Sequence, residues 1–244
     1  RRFGGLQAVK NVGFDLFRHQ ITAVIGPNGA GKTTLFNLIA GGLASDAGEI
    51  VFDGRPIHRW PAHRVAEAGI ARTFQNIKLF GNLSVLENVQ VGCHRWTRAG
   101  MLAGLFAAPH TRAEEARIRS RAYECLETMG IADLADRPAG ALAFGQQRAV
   151  ELARALAMNP SLLLLDEPAA GLNLHETAQL GELIRKIRDL QVTLLLVEHD
   201  MSLVMDISDE IVVLSFGEKI AEGRPVDIQR HPEVIRVCLG EDDA

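Results

Sequence analysis

A glycine-rich segment between an apolar run and a helical stretch constrains this chain more than any other feature. Residues 21–25 before the segment predict a buried strand, and residues 33–40 after it predict a helix. The segment fits the G-x-x-x-x-G-K-[ST] pattern of a phosphate-binding loop. It consists of Gly26, Pro27, Asn28, Gly29, Ala30, Gly31, Lys32, Thr33 and Thr34. Glycines let backbone N–H groups turn inward, and the helix N-terminus adds partial positive charge, so the segment predicts a site for nucleotide phosphates.

Two side chains of this segment have predicted tasks of their own. Lys32 should contact the β- and γ-phosphates, and the hydroxyl of Thr33 should bind Mg²⁺. Both tasks depend on the strand–loop–helix context, because the pattern alone also describes an ordinary glycine-rich turn.

Composition excludes several classes of protein. The chain has 244 residues, enough for one domain with a subdomain, and its net charge of -4 gives no electrostatic footprint for nucleic acid. Its three cysteines, Cys93, Cys125 and Cys238, lie far apart and predict reduced packing residues rather than a disulfide framework or a metal site. No apolar run approaches the roughly 20 residues needed to cross a bilayer.

The chain alternates strands and helices except in one long insertion. Short antiparallel strands are predicted within residues 1–20, where the segment 8–16 has a period near two in its second half. A strand with an Asp-Gly turn is predicted within residues 49–57. Residues 84–158 are rich in Ala, Arg, Glu and Leu at helical spacing, which predicts a helical insertion. Its residues 112–129 should form a helix with a solvated face, and residues 93–110 a long loop or a short helix pair. From residue 161 the alternation resumes, which predicts a parallel sheet covered on both faces.

Further predicted strands and helices flank the insertion. A helix starting at Pro61 should cover residues 61–68, and a strand covering residues 70–74 should end at Gln75. Near the end of the chain, Gly217-Glu218 should turn a strand at residues 211–214 into the next one.

Polar side chains follow three of the predicted strands. Asp166 and Glu167 follow the apolar run 162–165, and His199 lies just after the run 192–197. The carboxyl ends of parallel strands meet at one edge of the sheet, where ligands bind. Asp166 is therefore expected to hold the Mg²⁺ shell, Glu167 to polarise a water for in-line attack, and His199 to bond the γ-phosphate or that water. Gln75, after a shorter strand, can bind Mg²⁺ or water through its amide, although its spacing alone is weak evidence.

Together these segments resemble the nucleotide-binding subunit of an ATP-binding cassette (ABC) transporter. The glycine loop matches the Walker A motif, and residues 162–167 match Walker B with its catalytic glutamate. Gln75 falls at the Q-loop, His199 at the switch histidine, and residues 169–173 at the D-loop. The family signature falls at Leu142, Ala143, Phe144, Gly145, Gln146 and Gln147. The segments 3–9, 72–80, 86–89 and 168–173 resemble the branched-chain amino-acid importer type.

The resemblance implies an architecture and a set of partners. The fold would be α/β: a P-loop NTPase (RecA-like) parallel-sheet core in residues 1–83 and 161–244, with an N-terminal antiparallel β subdomain, and an inserted α-helical subdomain in residues 84–160. ATP and Mg²⁺ would be the cofactors. Phe3 would stack on adenine, unless it only packs at the chain terminus. A second cassette would complete the site head-to-tail, and permease subunits with a solute-binding protein would hold the complex at the cytoplasmic face of the inner membrane.

One signature residue departs from the family pattern. The family usually carries serine where this chain has Ala143, and a serine hydroxyl would donate to the γ-phosphate. Losing that bond would cost on the order of 1.5–3 kcal/mol if nothing replaced it. Either the backbone N–H groups near Gly145 suffice, or this chain forms one weak composite site on the partner's glycine loop.

The predicted function is ATP hydrolysis that drives uptake of branched-chain amino acids. Within the same family, urea, amide or aromatic-acid uptake is the alternative, because cassettes of this type hardly contact the solute. A non-catalytic, nucleotide-sensing partner is a further alternative, against which Lys32, Asp166, Glu167 and His199 argue. ABC proteins of DNA repair or translation tend to carry coiled-coil insertions or tandem cassettes, and this sequence shows neither.

Overall fold

The structure is a computed structural model that describes residues 1–93 and 109–239. It divides into two compact units, of which the first comprises residues 1–75 and 161–244 and the second residues 76–160. The first is called the core unit below, and the second the helical unit. The predicted helical insertion began at residue 84, whereas the helical unit begins at residue 76.

Ten strands lie in the described part of the core unit. In chain order they are β1 (Arg2–Phe3), β2 (Leu6–Gln7), β3 (Ile21–Ile25), β4 (Val51–Phe52), β5 (Arg55–Pro56), β6 (Ile70–Arg72), β7 (Leu162–Asp166), β8 (Thr193–Val197), β9 (Glu210–Ser215) and β10 (Glu218–Gly223). Six of them form one sheet in the order β10-β9-β3-β8-β7-β6. The five from β9 to β6 run parallel, and β10 pairs antiparallel with β9.

The apolar runs explain why the central strands lie where they do. Every residue of β3, β7 and β8 is buried, so both faces of these strands are covered. Such strands read as continuous apolar runs rather than as alternating patterns, as expected for a parallel sheet. A core on one face gathers around Phe36 and Val65, with strand residues such as Leu164 and Leu195.

Helices cover the sheet and build the helical unit. Their bounds are α1 (Lys32–Ile39), α2 (Ala62–Ala68), α3 (Val85–Gly92), α4 (Pro109–Thr128), α5 (Phe144–Ala157), α6 (Leu174–Asp189), α7 (Met201–Ile207), α8 (Pro225–Ile228) and α9 (Pro232–Val234). Among the described residues, no helix is both long enough and apolar enough to cross a membrane.

The helical unit is held by close contacts between α3, α4 and α5. A Cβ added to Gly92 would lie 2.1 Å from the carbonyl oxygen of Arg154, so α3 and α5 approach each other closely. Cys93 and Cys125 are buried and unpaired as disulfides, and burial raises the pKa of Cys125 to about 11. Both thiols therefore act as packing groups, as the sequence predicts.

Several sequence predictions need correction. Residues 8–16 form no strand. The antiparallel pair is β1–β2, and Val12, Phe14 and Leu16 pack against the core as extended chain. The strand predicted for residues 70–74 ends at Arg72. The turn between β9 and β10 lies at residues 216–217 rather than 217–218. Pro61 caps α2 instead of starting it. The loop or helix pair predicted for residues 93–110 lies largely outside the described residues.

Candidate functional site

Four neighbouring strands deliver the predicted site residues to one edge of the sheet. The glycine loop follows β3, His199 follows β8, Asp166 and Glu167 stand at the end of β7, and Gln75 follows β6. These strands are adjacent in the order β3-β8-β7-β6 and all run parallel. Neighbouring strands lie about 4.8 Å apart, so the residues share one rim about 14 Å across.

Backbone geometry explains two glycines of the loop. Gly26 and Gly31 have φ values of 145° and 100°, which L side chains rarely adopt. A Cβ at Gly26 would lie 2.0 Å from the carbonyl oxygen of Leu214, and one at Gly31 would lie 2.2 Å from that of Ala8. Gly31 is the N-cap of α1, whose first N–H groups lack intrahelical partners and point out of the helix end. The loop is therefore shaped to accept anionic oxygens.

Lys32 is folded back onto its own loop. Its Nζ donates to the carbonyl oxygens of Gly26, at 2.5 Å, and Pro27, at 3.0 Å, and the residue is 7% exposed. The ammonium group is thus held inside the loop rather than in solvent. A phosphate in the loop would add an anionic partner for this positive charge.

The side chain of Glu167 lies between those of Gln75 and His199. Gln75 Nε2 donates to Glu167 Oε2 at 2.6 Å, and His199 Nε2 lies 3.3 Å from the same oxygen. Glu167 has a φ of 48°, an uncommon value for a residue with a side chain, and its N–H donates to the carbonyl of Val197 on β8 at 2.9 Å. Such strained backbone costs of order 1–3 kcal/mol and persists where the surroundings hold it.

Asp166 is nearly buried and paired with an arginine. Arg72 Nη2 donates to Asp166 Oδ2 at 2.7 Å, and Arg72 Nη1 donates to Asn37 Oδ1 on α1 at 2.6 Å. The guanidinium also lies 5.9 Å from the ring centroid of Phe36 and 5.5 Å from that of Phe74. Arg72 therefore joins the helix after the glycine loop to the end of β7.

The donor set at this rim suits a magnesium ion. Thr33 offers a hydroxyl, Asp166 a carboxylate and Gln75 an amide oxygen, since its amide nitrogen is already bonded to Glu167. Mg²⁺ prefers oxygen ligands and is commonly held by one or two carboxylates together with substrate phosphates. In the described parts of the chain, no three His, Cys, Asp or Glu side chains form a metal-binding group, so a dedicated all-protein cage is absent there.

Sequence reasoning missed two charged residues of this rim. No sequence motif assigns a role to Arg72 or to Glu198. Both are charged residues directly within or after an apolar strand, and Glu198 is 1% exposed. A charged side chain that is buried at a strand end needs hydrogen-bond or ionic partners. A charged residue within or directly after an apolar run is therefore the sequence signal that could have identified both residues.

Phe3 is partly exposed and already has a partner. It lies in β1 with 45% of its surface exposed, and the guanidinium of Arg1 sits 5.2 Å from its ring centroid. One face of the ring is thus engaged by a cation. The proposed adenine-stacking role remains a prediction.

The signature residues stand at the start of α5 in the helical unit. Ala143 is the N-cap, and its N–H donates to Gln146 Oε1 at 3.2 Å. An alanine has no side-chain oxygen to accept from an N–H of the first turn, so only half of a capping box forms. Ala143 and Phe144 are exposed, while Gly145 and Gln146 are half-buried. This leaves the N-terminal end of α5 open toward solvent within its unit.

The sheet topology, the glycine loop and the helix behind it define a nucleotide-binding protein of the P-loop α/β class. The ABC transporter family matches residues 9–170, and the family described as "Branched-chain amino acid ATP-binding cassette transporter" matches residues 218–244. This chain belongs to the ABC transporter family, as an ATP-binding cassette. The predicted fold class and family resemblance are thereby confirmed.

Relatives and solved structures agree with this assignment. The chain is 47% identical, over 98% of its length and 94% of the relative's, to the high-affinity branched-chain amino acid transport ATP-binding protein BraF of Pseudomonas aeruginosa. The ADP conformation of MJ1267, an ATP-binding cassette of an ABC transporter, is 32% identical with a TM-score of 0.85, covering 98% of this chain and 95% of that one. A dimeric bacterial ABC transporter cassette, MJ0796, is 27% identical with a TM-score of 0.74, covering 90% and 91%.

Proposed function

We propose that this chain hydrolyses ATP to drive an importer of branched-chain amino acids. The arrangement of side chains at the sheet edge supports ATP hydrolysis. Gln75 and His199 contact Glu167 there, and the glycine loop that would bind phosphates lies at the same edge. The support for the solute is the full-length similarity to BraF and the family match at residues 218–244. The similarity to BraF and the family match both favour branched-chain amino acids over urea, amides or aromatic acids.

Each of the predicted site residues would have its own role in ATP hydrolysis. The loop amides and Lys32 would bind the β- and γ-phosphates and stabilise the charge that develops during transfer. Glu167 would accept a proton from the attacking water, and Gln75 and His199 would hold that carboxylate or bond the γ-phosphate. Thr33, Asp166 and Gln75 would hold Mg²⁺, which neutralises phosphate charge when bound. Phe3 would contact adenine.

The remaining partners follow from the same proposal. The signature residues Ala143, Phe144, Gly145 and Gln146 would complete the ATP site of a second cassette in a head-to-tail dimer. Permease subunits, served by a solute-binding protein, would hold the dimer at the cytoplasmic face of the inner membrane. The dimeric relative supports the first of these partners.

The solute is tested by reconstitution. The chain, co-purified with its permease subunits, is placed in proteoliposomes with the cognate binding protein, and ATP turnover is measured with each candidate solute. We expect leucine, isoleucine and valine to stimulate turnover, whereas urea, short amides and aromatic acids leave it at the basal rate. Stimulation by one of the latter and not by leucine would assign a different solute.

Replacing Ala143 by serine should raise ATP turnover at saturating ATP by roughly tenfold if the hydroxyl recovers about 1.5 kcal/mol of transition-state stabilisation, the lower end of the range for this bond. The hydroxyl could also accept from Gln146 N–H and complete the capping box, which would stabilise α5 by about 1 kcal/mol. Turnover of the assembled transporter and thermal unfolding of the chain separate the two effects.

The control for this substitution is Ala141→Ser, which adds a hydroxyl at an exposed position just before the signature. It should change neither turnover nor stability appreciably. If Ala143→Ser hydrolyses ATP no faster than the unmodified complex, the backbone of the signature already suffices and the weak-site hypothesis is wrong.

A further inference from the structure

Glu198 is a buried carboxylate that belongs to none of the ABC motifs described above. It follows β8 directly and is 1% exposed. Its Oε1 accepts from Ala169 N–H at 2.7 Å, and its Oε2 accepts from His199 N–H at 3.0 Å and from Asp200 N–H at 3.3 Å. A buried charge is tolerated where hydrogen bonds compensate it, and bonds from backbone N–H groups to a carboxylate are among the stronger ones.

These three bonds connect the two loops that carry the predicted catalytic pair. Ala169 lies two residues after Glu167, in the loop that leaves β7, and His199 is the next residue after Glu198. The carboxylate therefore holds the backbone on both sides of the contact in which His199 Nε2 lies 3.3 Å from Glu167 Oε2.

The loop after β7 is fastened to the end of β8 at two points. The first is the bond from Glu167 N–H to the carbonyl of Val197, at 2.9 Å, and the second is the bond from Ala169 N–H to Glu198. Between these points the backbone of Glu167 sits at φ 48°, a conformation that needs support from its surroundings. The carboxylate of Glu198 supplies one of the two supports.

Resting on the proposed function, we propose that Glu198 is a positioning residue for ATP hydrolysis. It fixes the loop of Glu167 and the backbone of His199 at one spacing, so that both side chains face the reacting phosphate together. It acts through the backbone N–H groups of Ala169, His199 and Asp200.

Glu198→Gln tests this role with little change in shape. A glutamine keeps one acceptor but turns an NH₂ group toward N–H donors, so at least one of the loops loses its bond. Displacing a catalytic group by about 1 Å can cost on the order of 10²-fold in rate. We expect kcat for ATP in the assembled transporter to fall by about that factor, while KM and the equilibrium binding of ATP by the full chain stay within about threefold.

Asp209→Asn is the matched control. Asp209 Oδ2 accepts from the N–H of Ile21 at 2.8 Å, at the opposite end of the sheet from the site. Like Glu198→Gln, this substitution removes one negative charge and a hydrogen bond from a backbone N–H to a carboxylate oxygen. It should lower thermal stability by less than Glu198→Gln, because Asp209 is exposed and accepts one backbone bond, and it should leave kcat unchanged.

Amide hydrogen exchange gives a readout that does not depend on turnover. In Glu198→Gln the amides of Ala169, His199 and Asp200 should exchange faster, whereas amides inside β7 and β8 keep their protection. Uniformly faster exchange with parallel losses of stability and ATP binding would show a merely structural role and overturn the proposal.

A second variant decides the case in which Glu198→Gln does not fold. Glu198→Asp keeps the charge but draws the carboxylate back by one methylene, so a reduced kcat with normal ATP binding supports the proposal and a normal kcat overturns it. Glu167→Gln separates this outcome from failure of the proposed function. If Glu167→Gln abolishes turnover and neither Glu198 variant lowers it, only the positioning role is wrong.

Discussion

Replacing Glu167 by glutamine should abolish ATP turnover while ATP remains bound. An amide cannot take a proton from water, and loss of a general base costs typically 10²–10⁴-fold in rate. The amide oxygen of the new side chain can still accept from Gln75 Nε2, which reaches Glu167 Oε2 at 2.6 Å in the native rim, so the neighbouring side chains should keep their places. Turnover by the assembled transporter and nucleotide retained by the complex are the measurements.

Glu182→Gln provides the comparison for this substitution. Glu182 lies on α6 with an exposed side chain and pairs with Arg185 at 2.7 Å, so its replacement makes the same chemical change outside the rim. It should hydrolyse ATP at the native rate, because an exposed ion pair contributes little. Native turnover in Glu167→Gln would instead assign this chain a regulatory part in its complex.

Replacing Gly31 by alanine should remove nucleotide binding and destabilise the core unit. The residue has φ 100°, and its new Cβ would meet the carbonyl oxygen of Ala8 at 2.2 Å, so backbone must move in the loop or in residue 8. Strained backbone and overpacking each cost about 1–3 kcal/mol, and here they act together. Equilibrium ATP binding and thermal unfolding measure both consequences.

The matched control is Gly48, which lies outside the glycine loop. Its φ is 84°, yet nothing lies within 4 Å of a Cβ built there. Gly48→Ala therefore introduces the cost of a left-handed residue, about 1–2 kcal/mol, without a collision. We expect Gly48→Ala to bind ATP while Gly31→Ala does not. Equal loss in both variants would show that lower stability, rather than contact with Ala8, abolishes binding.

The core strands and the phosphate loop were predictable because their signals are local. A continuous apolar run such as residues 162–165 predicts a strand buried on both faces, and the loop pattern carries its own spacing. The period of two within residues 8–16 misled the prediction for a physical reason. Phe14 and Leu16 pack against the core from an extended segment that has no neighbouring strand, and such a segment alternates as a strand does.

The sequence by itself determined the family, the glycine loop, the alternation of strands with helices and the insertion between them. Only the tertiary structure decided the strand order β3-β8-β7-β6, the contact of Gln75 and His199 with one oxygen of Glu167, and the pairing of Arg72 with Asp166. Gln75 and Glu167 are 92 positions apart in the chain, and Arg72 and Asp166 are 94 apart. Periodicity and motif spacing report on near neighbours, whereas these contacts exist because parallel strands from distant segments end at one edge of the sheet.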